Sequence, residues 1–276
     1  MPPPPISEAA PAKVNLTLHV TGRRDEGYHL LDSMVMFADI GDSLSVTHGA
    51  LRLYVQGPMA KDVPVGPNNL VMRAAALSGA EAEITLHKNL PTSAGIGGGS
   101  SDAAACLRAL SQLTGGALPD DAISLGADVP VCLLARAARM RGIGEDVTPL
   151  DGLPALDAVL VNPGVSVSTP AIFKRLEQRH NPPMPARLPI FATAQALIQW
   201  LADQRNDLES PAMAEAPVIG DVLRQISQTR GCGLARMSGS GATCFGLFPD
   251  PQRAQDAAAA ISRAYPDWWV VPCRLS

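Results

Sequence analysis

The chain has 276 residues, 46% of them hydrophobic and 17% charged, so it can bury a sizeable core, and its length favours two domains over one. Its net charge of −4, with no dense run of Lys or Arg, excludes the basic field that a nucleic-acid or membrane-surface partner needs. No stretch approaches about eighteen consecutive apolar residues, so no membrane span is expected.

The start, Met1-Pro-Pro-Pro-Pro5, lacks the charged and apolar regions of a signal peptide and reads as the front of a mobile proline-rich tail over residues 1–10. Residues 14–20 alternate apolar and polar side chains as a half-buried strand does, and residues 51–56 and 82–87 repeat the pattern. Residues 69–78 predict a short helix. Residues 101–113 predict a stronger one, with Ala103, Cys106, Leu107, Leu110 and Leu113 on one face and Gly115-Gly116 as its stop. The apolar run 131–135 is expected as a strand, followed by a turn at 142–144 and a linker over 148–154. Past the linker, strands are expected at 158–161, 233–237, 242–248 and 268–271, and helices at 191–204 and 215–228. Residues 181–189 form a Pro-rich surface loop, and Asp250-Pro251 caps a last helix with Ala254, Ala257, Ala258 and Ile261 inward. Strands and helices mix without strict alternation, which favours an α+β fold, with domains over 11–152 and 153–276.

Five cysteines with no C-x-x-C pair, and five histidines with no H-x-x-x-H spacing, give neither a disulfide framework nor a built-in metal site. Free thiols in a reducing cytoplasm are the expectation.

The densest chemistry lies at Pro91-Thr-Ser-Ala-Gly95-Ile-Gly97-Gly98-Gly99-Ser100-Ser101, between a strand and a helix. Glycines bring backbone N–H groups close to a ligand, and the helix start adds unpaired amides and the positive end of its dipole. The serine hydroxyls can donate to phosphate oxygens or help hold Mg²⁺. A plain glycine turn with Ser100 or Ser101 as N-cap is the competing reading. The absence of any Gly-Lys dipeptide excludes a Walker A loop, and the serines in the first helical turn exclude a dinucleotide fingerprint.

Three further clusters accompany this loop. Lys13 and Asn15, two apart on a strand, point to one face, either as exposed residues or as groups that stabilise a transferring phosphoryl. Asp128, in Gly-Ala-Asp-Val-Pro over 126–130, is either a turn cap or the base for a substrate hydroxyl. Ser238-Gly239-Ser240-Gly241 links two strands, either as a bare hairpin or as a close backbone approach to a ligand.

Taken together, Pro11-Ala-Lys-Val-Asn-Leu16, residues 91–103 and residues 238–242 resemble the three motifs of the GHMP small-molecule kinases over nearly the whole chain. The resemblance implies a two-domain α+β fold with the active site in the interdomain cleft, ATP as phosphoryl donor and Mg²⁺ as metal. It assigns Asp128 as catalytic base with Lys13 beside it, and Asn15 as a substrate-positioning residue. ATP would lie on Pro91, Gly95, Gly97, Gly98, Gly99, Ser100 and Ser101, with Asn69 near adenine. Gly27-Tyr28-His29, residues 126–130 and Asn-Pro-Gly-Val-Ser over 162–166 are similar to the branch that phosphorylates the 2-hydroxyl of a cytidine-diphosphate-linked methylerythritol for isoprenoid precursors. Tyr28, His29 and Phe173 would then surround cytosine, and Ser238, Gly239, Ser240 and Gly241 would contact substrate. A small molecule with a cytidine diphosphate moiety is thus the expected partner, and the protein a monomer or weak homodimer. Met34-Val-Met36 stands where an aromatic residue is common in that branch. A kinase of homoserine or mevalonate would not need Gly-Tyr-His, and a non-catalytic sensor would not need Lys13 and Asp128.

Overall fold

The computed structural model describes residues 4–276, so the first three residues of the expected tail lie outside it. The chain begins with β1 (Ile6–Asn15), β2 (His19–Arg23) and β3 (His29–His48). Next come β4 (Arg52–Gln56), α1 (Leu70–Ser78), β5 (Ala82–His87), α2 (Gly98–Thr114) and α3 (Val129–Leu134). The hairpin β6 (Ala138–Gly142) and β7 (Asp146–Pro149) precedes β8 (Leu156–Asn162). Helices α4 (Thr169–Lys174), α5 (Ala194–Ala202), α6 (Glu209–Glu215) and α7 (Val218–Ser227) lead to β9 (Leu234–Met237) and β10 (Cys244–Phe248). The chain closes with α8 (Pro251–Ala264) and β11 (Trp269–Leu275).

The chain falls into two compact units, neither of them a single stretch. The first comprises the residues up to Lys13, Ile40–Thr92 and Gly97–Ala135. Here the end of β3 pairs antiparallel with β5, and β5 pairs parallel with β4. Helix α1 packs on α2. The Asn69 side chain caps α1 by accepting from Val71 N–H, and Gly79 ends it in the left-handed region. Ser101 and the alanines on the buried side of α2 leave room for close helix packing, and Gly115 stops it as expected.

The second unit comprises Val14–Asp39, Ser93–Ile96 and Arg136–Ser276. Strand β8 lies between β10 and β11, antiparallel to both, and β9 extends the sheet beyond β10. Val159, Val161, Ile219, Val222, Ile226 and Phe248 form the centre of its core. The expected inner face of α8 is the observed one: Ala254, Ala257, Ala258 and Ile261 are buried and Asp250 caps the helix.

Several expectations are corrected. The run 131–135 is not a strand. Residues 131–134 lie in α3, with Pro130 in its first turn and Ala135 as its C-cap, because a short apolar run carries no period that separates strand from buried helix. Residues 6–10, expected in the tail, are the first half of β1, and the alternation over 14–20 is divided between the ends of β1 and β2. Residues 148–149 of the expected linker are strand, paired through β7 to β6. Loop 181–189 has no regular structure but is not a loose surface segment. Arg139 donates to the carbonyls of Met184 at 3.1 Å and Pro185 at 2.8 Å, and Asp32 accepts from Arg139 twice at 2.7 Å. Among the described residues, no helix is long and apolar enough to cross a membrane.

Candidate active site

In the first unit the loop expected to hold phosphate runs into the start of α2. Gly97 is its N-cap at φ 65°, with no side chain capping the helix. The first helical bond runs from Ser101 N–H to Gly97 O at 2.8 Å, so the amides of Gly98, Gly99 and Ser100 stay outside the helix ladder. A 17-residue helix thus presents free N–H groups and its positive dipole end at the loop, an arrangement suited to an anion.

Lys13 lies against the same turn. A Cβ on Gly97 would stand 3.1 Å from Lys13 Cβ, so this position needs glycine for space as well as for φ. Lys13 is only 3% exposed, and its Nζ lies 2.7 Å from Asp128 Oδ2. A buried ammonium requires such a partner. Asp128 precedes α3 but makes no capping bond, so its carboxylate, about one-third exposed, is free of the turn role. The structure therefore brings Lys13, Asp128 and the α2 start together.

The two loop serines differ. Ser101 is fully buried and donates to the Pro11 carbonyl at 2.8 Å, tying α2 to β1. Ser100 is half-buried, and its Oγ lies near Gly126, two residues before Asp128. Asn69 uses its carboxamide in the α1 cap and in a bond to the Pro64 carbonyl at 2.6 Å. Pro91 is half-buried in the irregular segment between β5 and α2.

One group in this unit was not foreseen. Lys88, 3% exposed, lies between Asp42 and Asp102, with Asp102 Oδ2 at 2.8 Å. Asp42 also accepts from the amides of Asn89 and Leu90, whereas Asp102 Oδ1 is buried with no partner among the described residues. Burial pushes the Asp102 carboxyl up to about 7; Lys88 opposes the rise and Asp42 adds to it. Burial disfavours the Lys88 ammonium, but Asp102 and Asp42 outweigh it and hold its pKa above the ordinary value.

In the second unit Asn15 is held from two sides. Its backbone N–H donates to Ser238 Oγ at 3.0 Å, and its Nδ2 donates to Ser33 Oγ at 2.8 Å. Ser238 in turn donates to the Gly95 carbonyl at 2.9 Å. Gly95 fits tightly here, because a Cβ on it would stand 2.5 Å from Ser238 O. Gly239 and Gly241 both have positive φ, and Asn206 braces the loop by donating to the carbonyls of Met237 and Gly239 at 2.8 Å. The Ser240 hydroxyl is paired with that of Thr169 at 2.7 Å. Both serine hydroxyls of this loop are thus engaged within the protein.

His29 stacks on Phe173 with ring centroids 4.6 Å apart and planes 19° from parallel. Burial lowers the His29 pKa, and Arg23 and Arg179 lower it further, so the ring is neutral near pH 7. Its Nε2 is buried, with no partner among the described residues. Tyr28, 62% exposed, stacks on no other ring among the described residues. Asp42, Lys88 and Ser33 escaped sequence reasoning; the one available sign was a polar residue set within or beside an apolar strand.

A family profile described as GHMP kinases N terminal domain matches residues 69–136, and one described as GHMP kinases C terminal matches residues 191–267. A Dinoroseobacter shibae protein named 4-diphosphocytidyl-2-C-methyl-D-erythritol kinase is 62% identical over 273 residues, covering 98% of this chain and 95% of that protein. A Paracoccus denitrificans protein of the same name is 56% identical, covering 98% and 96%. Among solved structures, a 4-(cytidine 5'-diphospho)-2C-methyl-D-erythritol kinase superposes with a TM-score of 0.79 at 36% identity, covering 98% of this chain and 99% of that one. The homoserine kinase of Cytophaga hutchinsonii, at 19% identity and a TM-score of 0.67, shares the fold. With an α+β fold of two units, family profiles matching both halves and near-full-length relatives well above 30% identity, the chain belongs to the GHMP kinase family, whose members are phosphotransferases.

Proposed function

We propose that this chain transfers the terminal phosphoryl group of ATP to the 2-hydroxyl of 4-diphosphocytidyl-2-C-methyl-D-erythritol, in the cytoplasm, as a monomer or weak homodimer. The carrying observation is the Lys13–Asp128 pair at 2.7 Å beside the start of α2. In the first unit, the amides of Gly98, Gly99 and Ser100 bind phosphate oxygens. Asp128 accepts the hydroxyl proton as the new P–O bond forms, and Lys13 offsets the negative charge that develops. In the second unit, His29, Phe173 and Tyr28 supply the aromatic and hydrogen-bonding surface for cytosine, with the open Nε2 of neutral His29 meeting a base-edge donor if it carries no proton.

Mg²⁺ fits this donor set in one way. Among the described residues, no group of three or more His, Cys, Asp or Glu is gathered to hold a metal, so phosphate oxygens and water must supply most of its ligands. Of the two serines at the start of α2, Ser100 could add its hydroxyl, since Ser101 is buried against Pro11. When bound, the ion neutralises phosphate charge.

The test is release of ADP, measured by coupled assay. Asp128→Asn should lower turnover by roughly a hundredfold to ten-thousandfold while ATP still binds. Normal turnover in that variant would remove Asp128 as base. Equal rates with the cytidyl substrate and its uridyl analogue would remove the cytosine-reading role of Tyr28 and His29.

A further inference from the structure

Asn15 sits in a hydrogen-bond chain whose direction is fixed by the chemistry of its members. The Ser33 hydroxyl donates to the Thr17 carbonyl, an atom that can only accept. Its one proton is engaged there, so Ser33 Oγ faces Asn15 as an acceptor. The carboxamide group 2.8 Å away must then be the Nδ2 amine and not the oxygen. The Thr17 hydroxyl leaves the carbonyl to Ser33, because it accepts from Met34 N–H at 2.8 Å and donates to Met184 Sδ at 3.3 Å. On the other side the Asn15 backbone is fixed by Ser238.

The outcome is an amide oxygen with a forced orientation. Asn15 Oδ1 is buried, has no partner among the described residues, and faces Gly239, where a Cβ would stand 3.5 Å from it. A buried acceptor without a partner is unfavourable in a folded protein, and a ligand donor removes that cost.

We propose that Ser33 is a positioning residue for phosphoryl transfer: it locks the Asn15 carboxamide so that Oδ1 is offered as an acceptor to a hydroxyl of the acceptor substrate. This rests on the reading of Asn15 as a substrate-positioning residue. It makes the site selective for a hydroxyl, which can donate, over an ether or carbonyl oxygen at the same place. Without Ser33 the carboxamide can turn over and present its amine, which repels no ether and attracts no hydroxyl proton.

The experiment is steady-state kinetics on Ser33→Ala, Ser33→Cys, Asn15→Ala and the Ser33→Ala/Asn15→Ala double variant. Ser33→Ala should raise KM for the acceptor about tenfold, the scale of one hydrogen bond, with KM for ATP unchanged. The double variant should be no worse than Asn15→Ala alone, because Ser33 acts through Asn15. Ser33→Cys keeps the side-chain shape with a somewhat larger atom that donates and accepts weakly, so it should fall between wild type and Ser33→Ala. It carries the same comparison if Ser33→Ala fails to fold. An acceptor KM unchanged in the Ser33 variants, an equal rise in KM for ATP, or effects that multiply in the double variant would each overturn the positioning role. A silent Asn15→Ala would overturn the role of Asn15 and this inference together, whereas an impaired Asn15→Ala with silent Ser33 variants would overturn this inference alone.

Discussion

Asp102→Asn removes one of two carboxylates that share the Lys88 ammonium. With Asp42 and Asp102 both ionised, the buried group carries one negative charge in excess, and Asp102 bears it least well because its Oδ1 has no partner. Its carboxyl is pushed by burial from 3.8 to about 7. The folded protein therefore holds this proton more tightly than the unfolded chain does. The stabilisation this provides is complete below the unfolded value and is lost as pH rises through about 7. At about 1.4 kcal/mol per pH unit, the span is worth on the order of 4 kcal/mol. His19 and His29, both held below 6.5 chiefly by burial, act in the opposite sense, their stabilisation being lost as pH falls. Both are common to wild type and variant and cancel in the difference. Asparagine cannot titrate, so Asp102→Asn should gain on wild type steadily from about pH 4 to about pH 7 in urea-unfolding free energy and level off above that. Parallel pH profiles for the two proteins would refute the reasoning, since the excess charge would then not reside on Asp102.

Two more substitutions follow from packing. Gly95→Ala would place its Cβ 2.5 Å from Ser238 O and 2.6 Å from Gly241 O at a φ of 72°, and should cost about 2 to 5 kcal/mol. Gly99→Ala meets only Leu70 Cδ1 at 3.5 Å inside a helix and should be neutral or stabilising by up to about 1 kcal/mol, so thermal melts should separate the two variants widely. Arg139→Met strands the buried Asp32 carboxylate and frees the carbonyls of Met184 and Pro185. It should cost about 3 to 5 kcal/mol in chemical denaturation and expose loop 181–189 to proteolysis.

What was legible in the sequence was local. Gly115 bounds α2 because a helix stop acts within a few residues, and α8 could be read from Asp250-Pro251 and four inward residues. Strand β3 was missed because Met34, Val35, Met36, Phe37 and Ala38 are all buried, which erases the alternation that marks a strand with one wet face. The same loss of period disguised α3. At the candidate site, the loop, Lys13 and Asp128 could be singled out from residue type. Their meeting came from the family resemblance and not from residue type, because 115 positions separate Lys13 from Asp128 (128 − 13) and only the folded chain closes that gap. Asp42, Lys88 and Asp102 are likewise unremarkable one by one, and the function of Ser33 depends on which way a single proton points.

The bond from Ser101 to the Pro11 carbonyl has a consequence for how such motifs are dissected. It fastens the start of α2 to the strand bearing Lys13, so the spacing between the free amides and the ammonium is set by the scaffold before any anion arrives. Two adjacent serines in one motif would then give mutants of similar phenotype for unlike reasons. Ser100 variants would lose a contact, whereas Ser101 variants would lose a distance. Added ligand could compensate for the first by mass action, but saturating ligand would not restore a misplaced charge.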